Sequence, residues 1–217
     1  MKQKIMRAFI FGVLLFGFSQ FGFSQVELIG DGSFESGTPN SSWNEYSSNF
    51  GTPLCTIGDC GTGNGTGPRT GDWWVWFGGI SAAEIGSVDQ TLIIPVGFNE
   101  LHFWLENSAF SGSGSDFLQV QIDDVVIATI YEGNPAYANY AEVVLDISAY
   151  ANGNSHKIEF YAVCHGAGTT NFFVDDVSII KSPVTPVSWI SVISVFLILA
   201  AFVVYRFIKS KSLILNK

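Results

Sequence analysis

Cys164 and His165 stand side by side in this 217-residue chain, the nearest approach in its sequence to a nucleophile with a base. Adjacency on a strand defeats that pairing, because neighbouring strand residues point to opposite faces. The expected state of Cys164 is a buried free thiol, or a disulfide to one of the two remaining cysteines. Cys55 and Cys60 are close enough in sequence to close a small ring, and in an exported chain such a disulfide removes unfolded-state entropy. His102, His156 and His165 are scattered without metal-ligand spacing. No nucleophile elbow, phosphate loop or zinc-protease helix motif is present. With nineteen acidic residues, some pair of carboxylates falls at glycosidase spacing by chance, so that count carries no weight. The chemistry on offer is recognition, and the chain reads as non-enzymatic.

The elements that must position any recognition residues are strands. Short alternating or apolar runs bounded by Gly, Asn, Asp and Ser predict strands over Trp73 to Phe77, Gly86 to Ile94, Asn99 to Glu106 and Phe117 to Ile122. Four more follow over Val125 to Tyr131, Ala141 to Asp146, His156 to Val163 and Asn171 to Ile180. No stretch keeps a 3.6-residue period, so the fold class is all-β, an antiparallel β-sandwich of about eight strands. Asp123-Asp124 is expected to close one hairpin, and the turn Ala151 to Asn154 to join two further strands. The Gly-rich segment from Gly51 to Asp72 is expected to be a long surface loop, of the kind that forms binding rims. In Trp73 to Phe77, alternation sets Trp74 and Trp76 on one face and Trp73, Val75 and Phe77 on the other.

Charge divides the chain further. Residues 25–181 hold Arg69, Lys157 and Lys181 against all nineteen acids, a net charge of −16, which disfavours nucleic acid as a partner. Lys2, Lys4 and Arg7 precede an uncharged run from Ala8 to Phe18, which reads as a signal peptide over residues 1–24, cleaved after Ser24 or Ser19, with an uncleaved anchor as the alternative. Val187 to Tyr205 carries no charge and is followed by Arg206, Lys209 and Lys211, so residues 187–208 read as a membrane-spanning helix. The organisation expected is a signal peptide, an extracellular domain at 25–181, a Pro183/Pro186 linker at 182–186, the span, and a basic cytoplasmic tail at 209–217. The domain then lies outside the cytoplasm, tethered to the cell surface by a single pass.

The runs Gly30 to Glu35, Gly67 to Gly79, Gln90 to Pro95, Leu101 to Trp104 and Asn171 to Ile179 together resemble bacterial extracellular jelly-roll modules of the galactose-binding-like and carbohydrate-binding-module superfamily. That resemblance implies a sandwich whose ends lie close together, clamped by a structural calcium. Asp31 and Glu35 from the opening motif and Asp175 or Asp176 from the closing one match the clamp positions, and hard carboxylate oxygens suit that ion. Asp175 shares its alternation phase with Phe173, Val177 and Ile179 and is expected on the core face, where it needs a partner, either the metal, backbone donors or Arg69. The resemblance also implies sugar stacking on exposed aromatics, with Trp43, Tyr46, Trp74 and Trp76 as candidates, joined by Arg69 for hydrogen bonding. Trp43 and Tyr46, in a polar stretch, are the better exposed platforms. Pro186 to Trp189, the span and the basic tail resemble a bacterial C-terminal sorting signal, which makes a sorting enzyme a further expected partner. The expected ligand is an extracellular glycan or a surface protein. The alternatives are a structural or adhesive surface domain with no small-molecule site and, behind it, an accessory domain of a secreted hydrolase.

Overall fold

The computed structural model describes residues 26–181, together with Ile193 and Leu197 in helical backbone. The expected signal peptide, linker and tail, and the expected span apart from those two positions, lie outside the described residues. Among the described residues, no helix is long and apolar enough to cross a membrane. The chain divides into two compact units, Met1–Lys181 and Ser182–Lys217, and the first holds all the described strands.

Ten strands are described: β1 Asn44–Ser47, β2 Leu54–Thr56, β3 Trp73–Gly78, β4 Ala83–Ile93, β5 Glu100–Ala109, β6 Phe117–Ile122, β7 Val125–Tyr131, β8 Ala141–Asp146, β9 Ser155–His165 and β10 Asn171–Ile180. A single helical turn, α1 (Ile57–Cys60), follows β2. They form two antiparallel five-stranded sheets, ordered β1-β4-β9-β6-β7 and β2-β3-β10-β5-β8. Alternation drives the sandwich. Val88, Leu118, Val120, Ile158 and Phe160 of the first sheet meet Val75, Phe77, Leu101, Phe103, Leu105, Phe172 and Val174 of the second, all buried.

Asp123 and Asp124 both have positive φ, 52° and 64°, and close the β6–β7 hairpin as expected. The turn from Ala151 to Asn154 does not close a hairpin. β8 pairs with β5 in one sheet and β9 with β4 and β6 in the other, so this turn carries the chain across the sandwich. The segment from Gly51 to Asp72 is also more than a surface loop. It holds β2, α1 and the Cys55–Cys60 disulfide, with Cα atoms 5.9 Å apart. Cys164 is a buried free thiol, its pKa pushed up to about 12 by burial.

Asp175 departs from its expected face. The register of β10 on β5 slips between Asp175 and Ser178, and Asp176 takes a φ of 48°. This bulge reverses the alternation. Val177 and Ile179 therefore share the core with Phe172 and Val174, while Phe173 and Asp175 face outward with Trp76 and Trp104, to which they are paired in register.

Candidate ligand-binding face

The outer faces of the two sheets have opposite fates. On the β2-β3-β10-β5-β8 sheet the outward side chains include Trp74, Trp76, Trp104, Glu106, Phe173 and Asp175, and of these Trp74, Phe173, Asp175 and Glu106 are at most 1% exposed. The Gly-rich segment covers them. A Cβ at Gly63 would overlap the Trp76 ring and one at Gly65 the Phe173 ring, so glycine is what lets the backbone approach this closely. The covering is held by polar contacts. Thr66 donates through its backbone N–H and its hydroxyl to Glu106. Arg69 N and Thr70 N donate to Asp175 at 2.7 and 3.1 Å, and Tyr140 donates to the Gly67 carbonyl at 2.9 Å. The Arg69 guanidinium lies 3.6 Å from the Trp104 ring centroid and pairs with Asp176. Burial pushes Asp175 up to about 7 against the opposing hydrogen bond from Thr70, and burial likewise raises Tyr140.

Of the residues expected at a site, Trp74, Trp76 and Asp175 thus lie beneath the protein's own chain, and Arg69, part of that covering chain, closes over them with its guanidinium on Trp104 and Asp176. Trp74 packs against Phe173 and Trp76, and Trp76 donates to Asn171 at 3.1 Å. Trp43 is not an exposed platform. It is 3% exposed, its rings meet Phe34 and Phe160, and its indole N–H donates to the Asp31 carbonyl at 3.0 Å, the partner a buried indole requires.

The four carboxylates expected around calcium are each engaged by protein donors. Asp31 accepts from Ser36 N and Asn40 Nδ2, Glu35 from Asp72 N and Trp73 N, Asp175 from the Arg69 and Thr70 amides, and Asp176 from Arg69 and Thr70 Oγ1. Among the described residues no three His, Cys, Asp or Glu side chains converge as a metal centre. In this arrangement Asp175 and Asp176 fasten the Gly-rich segment to β10, Glu35 ties the N-terminal segment to the start of β3, Asp31 braces a turn within that segment, and a metal would have to compete with donors already in place.

The β1-β4-β9-β6-β7 sheet presents the other outcome. Strand register places Tyr46 opposite Ser87, Ser87 opposite Tyr161, Tyr161 opposite Gln119 and Gln119 opposite Thr129, a row crossing all five strands. A parallel row runs Asn44, Asp89, Glu159, Gln121 and Val126, and a third runs Ile85, Val163, Phe117 and Tyr131. Tyr46 is 53% exposed and Tyr131 56%, and the central residues are half-buried by their neighbours alone. Facing side chains on adjacent strands stand about 5 Å apart, so Tyr46 and Tyr161, two strands apart, are separated by about 10 Å. Gln121 donates to Gln119 at 3.1 Å and Asn44 to Asp89 at 2.8 Å, which orients the amides. Lys157 is taken by Asp124 at 2.6 Å and Glu159 at 3.0 Å, and these hydrogen bonds, Asp124 first, raise its pKa. Asp123 is lowered chiefly by its hydrogen bond with His156.

Flat aromatic rings beside amides, hydroxyls and carboxylates on an open sheet are equipped to stack an apolar ring face and to bond several hydroxyls at once. Of this set the sequence singled out Tyr46. Tyr161, Gln119, Gln121, Glu159 and Asp89 were legible as outward positions from alternation, but not as neighbours.

No family model matches the chain, and no curated protein matches it in sequence. Among solved structures it is similar to the carbohydrate-binding module TmCBM61, solved in complex with β-1,4-galactotriose, at 14% identity over 72% of this chain and 99% of that one, with a TM-score of 0.52. The K1 cleaved adhesin domain of Lys-gingipain from Porphyromonas gingivalis matches at 15% identity over 74% and 99% of the two chains, with a TM-score of 0.47. The family 11 carbohydrate-binding module of a Clostridium thermocellum cellulase matches at 10% identity over 74% and 97%, with a TM-score of 0.42. At such identities the likeness shows a fold, and the fold is the β-sandwich found in carbohydrate-binding modules.

Proposed function

We propose that this protein is a non-enzymatic, exported surface module, tethered through residues 187–208, which binds extracellular carbohydrate on the open β1-β4-β9-β6-β7 face. The supporting observation is the row Tyr46, Ser87, Tyr161, Gln119 and Thr129, which puts two aromatic platforms and the polar groups between them on one surface that none of the described residues covers. Tyr46 and Tyr161 stack sugar rings, and Asn44, Asp89, Glu159, Gln119 and Gln121 bond hydroxyls. The tryptophans under the Gly-rich segment pack the fold. The test is a glycan array followed by titration of the full chain in detergent. Binding should weaken about tenfold, or 1.4 kcal/mol, in Tyr161→Ala and again in Tyr46→Ala, while Trp43→Ala acts only through stability. A blank array, or tyrosine variants that bind as the parent does, would refute the assignment.

An adhesive reading stands second, and one observation favours it. The edge strand β7 is uncharged, with Val125, Val126 and Tyr131 between 47% and 56% exposed. Saturable binding to a matrix or cell-surface protein, abolished by charges at Val125 and Val126, would establish that reading. Calcium is proposed with Glu35 and Asp176 as its holders, since both reach the Arg69–Trp73 segment. A ligand bound only by the folded state raises the melting midpoint, so a midpoint unmoved between calcium and chelator removes this proposal. The tether is checked by protease protection of the C-terminal tail in intact cells.

A further inference from the structure

We infer that the open face takes uncharged polysaccharide lying across its strands and turns away glycans bearing carboxylate or sulfate. The inference rests on the carbohydrate reading above and narrows it to a ligand class. Two rows set the direction. The Tyr46–Thr129 row and the Asn44–Gln121 row run side by side, perpendicular to the strands, from the β1 edge to β6 and the β7 edge. Five strands span about 19 Å in that direction. A linear glycan following the rows stacks on the tyrosines while one edge of each sugar meets the amide and carboxylate row.

The charges on the face set the class. Asp89 and Glu159 stand directly opposite each other on β4 and β9, a like-charge pair that by itself disfavours the sheet. Asp89 is relieved only by the neutral amide of Asn44, at 2.8 Å. Glu159 is relieved by Lys157, which it shares with Asp124 at the hairpin tip beside Asp123. Lys157 is therefore bracketed by two carboxylates, and its single positive charge is outweighed by theirs. Arg69 lies against Trp104 on the opposite sheet, out of reach. A sugar hydroxyl donating to Asp89 or Glu159 makes a charge-assisted hydrogen bond, whereas an approaching uronate or sulfate meets net negative charge and an ammonium already held by Asp124 and Glu159. The −16 of residues 25–181 repels the same ligands at longer range.

The experiment titrates the full chain in detergent with β-1,4-linked gluco- and galacto-hexasaccharides and with the same oligosaccharides oxidised to uronates at C6. The expected result is at least tenfold tighter binding of the neutral form, a ratio that shrinks several-fold in Asp89→Asn and when salt is raised toward 1 M. Affinity should also grow with oligosaccharide length across the face. Gln121→Lys, which adds a cation to the polar row, should recruit the uronates, so the charge argument is readable in a second variant. Equal or tighter binding of uronates by the parent protein overturns the inference while leaving the carbohydrate reading intact. Failure of every neutral and acidic sugar to bind overturns the carbohydrate reading itself.

Discussion

Replacing Glu132 by glutamine should destabilise the protein by about 3 kcal/mol at neutral pH, and the loss should fade in acid. Glu132 follows β7, is 8% exposed, and is wrapped by the Ser-Gly repeat that precedes β6. Its carboxylate accepts from Ser111 Oγ at 2.8 Å, Gly112 N at 3.1 Å, Ser113 Oγ at 2.6 Å, Gly114 N at 2.7 Å, Ser115 N at 3.2 Å and Thr170 Oγ1 at 3.2 Å. Burial alone would raise the pKa, but the Ser113 and Ser111 hydroxyls and the Gly112 and Gly114 amides outweigh it and hold the group at about 2, down from 4.5. A depressed carboxylate contributes stability above its unfolded pKa, here 4.5, and loses it as pH falls toward 2. At 1.36 kcal/mol per pKa unit, a drop of that size is worth about 3 kcal/mol. A glutamine keeps one acceptor oxygen but turns an NH2 group toward backbone amides that can only donate, and although the hydroxyls can turn to accept, the nest cannot close around it as it does around the anion. At about 2–4 °C per kcal/mol for a chain of this length, the melting midpoint at pH 7 should fall by about 6–12 °C. Melting curves of both proteins from pH 7 to pH 3 are the assay. The gap must begin to narrow below pH 4.5. A fall under 2 °C at pH 7, or a gap that holds constant into acid, would refute the account of Glu132 as the anion that orders this loop.

Other consequences read out the covered sheet. Gly65→Ala places a methyl group against the Phe173 ring and Glu106, and should cost about 1–3 kcal/mol of overpacking, measured as a lower melting midpoint with raised tryptophan accessibility to a quencher. Arg69→Ala removes the guanidinium from Trp104 and Asp176 and should weaken the same closure by about 1–2 kcal/mol, with Trp104 the residue whose fluorescence changes. Reducing the Cys55–Cys60 bridge opens a ring of only six residues, so the unfolding free energy from denaturant titration should fall by about 2 kcal/mol and the strands of both sheets should persist in circular dichroism. Cys164 should resist alkylation in the folded protein and react only on unfolding.

What the sequence disclosed was local, and what it withheld was pairing. All eight predicted strands form, because period-two alternation is a property of one run of residues. The Cys55–Cys60 bridge was legible for the same reason. The short strands β1 and β2 have too few residues to show a period. The rule that sets Asp175 beside Val177 failed at one residue, Asp176, whose positive φ inserts a bulge that alternation cannot announce. Trp43 looked exposed because its neighbours are Ser and Asn, yet those polar residues form the turn that lets its indole reach the Asp31 carbonyl. The open face was beyond reach because Tyr46, Tyr161 and Gln119 become neighbours only through register between strands far apart in the chain.

The two sheets also explain why a chain so rich in tryptophan places its candidate site on tyrosine. Trp74, Trp76 and Trp104 lie on the outward face of a sheet, where alternation alone would offer them to a ligand. Their indoles are large enough that leaving them open would expose an extended apolar patch. The Gly-rich segment removes that patch from water, and glycine is the only residue type that brings backbone onto the Trp76 and Phe173 rings without collision. The polar atoms this segment buries are met by Glu106, Asp175 and Tyr140, which is why two carboxylates at most 1% exposed occur on an outward face. Once that sheet is closed by its own chain, the surface left for the proposed recognition is the sheet that no segment covers among the described residues. There the aromatic residues beside the amides and carboxylates are Tyr46 and Tyr161, whose hydroxyls tolerate water, while Phe117 is shielded in part by the Tyr131 ring. The distribution of the two residue types follows from solvation, with the tryptophans of this sheet pair kept where the chain covers them and Tyr46 and Tyr161 where none of the described segments does.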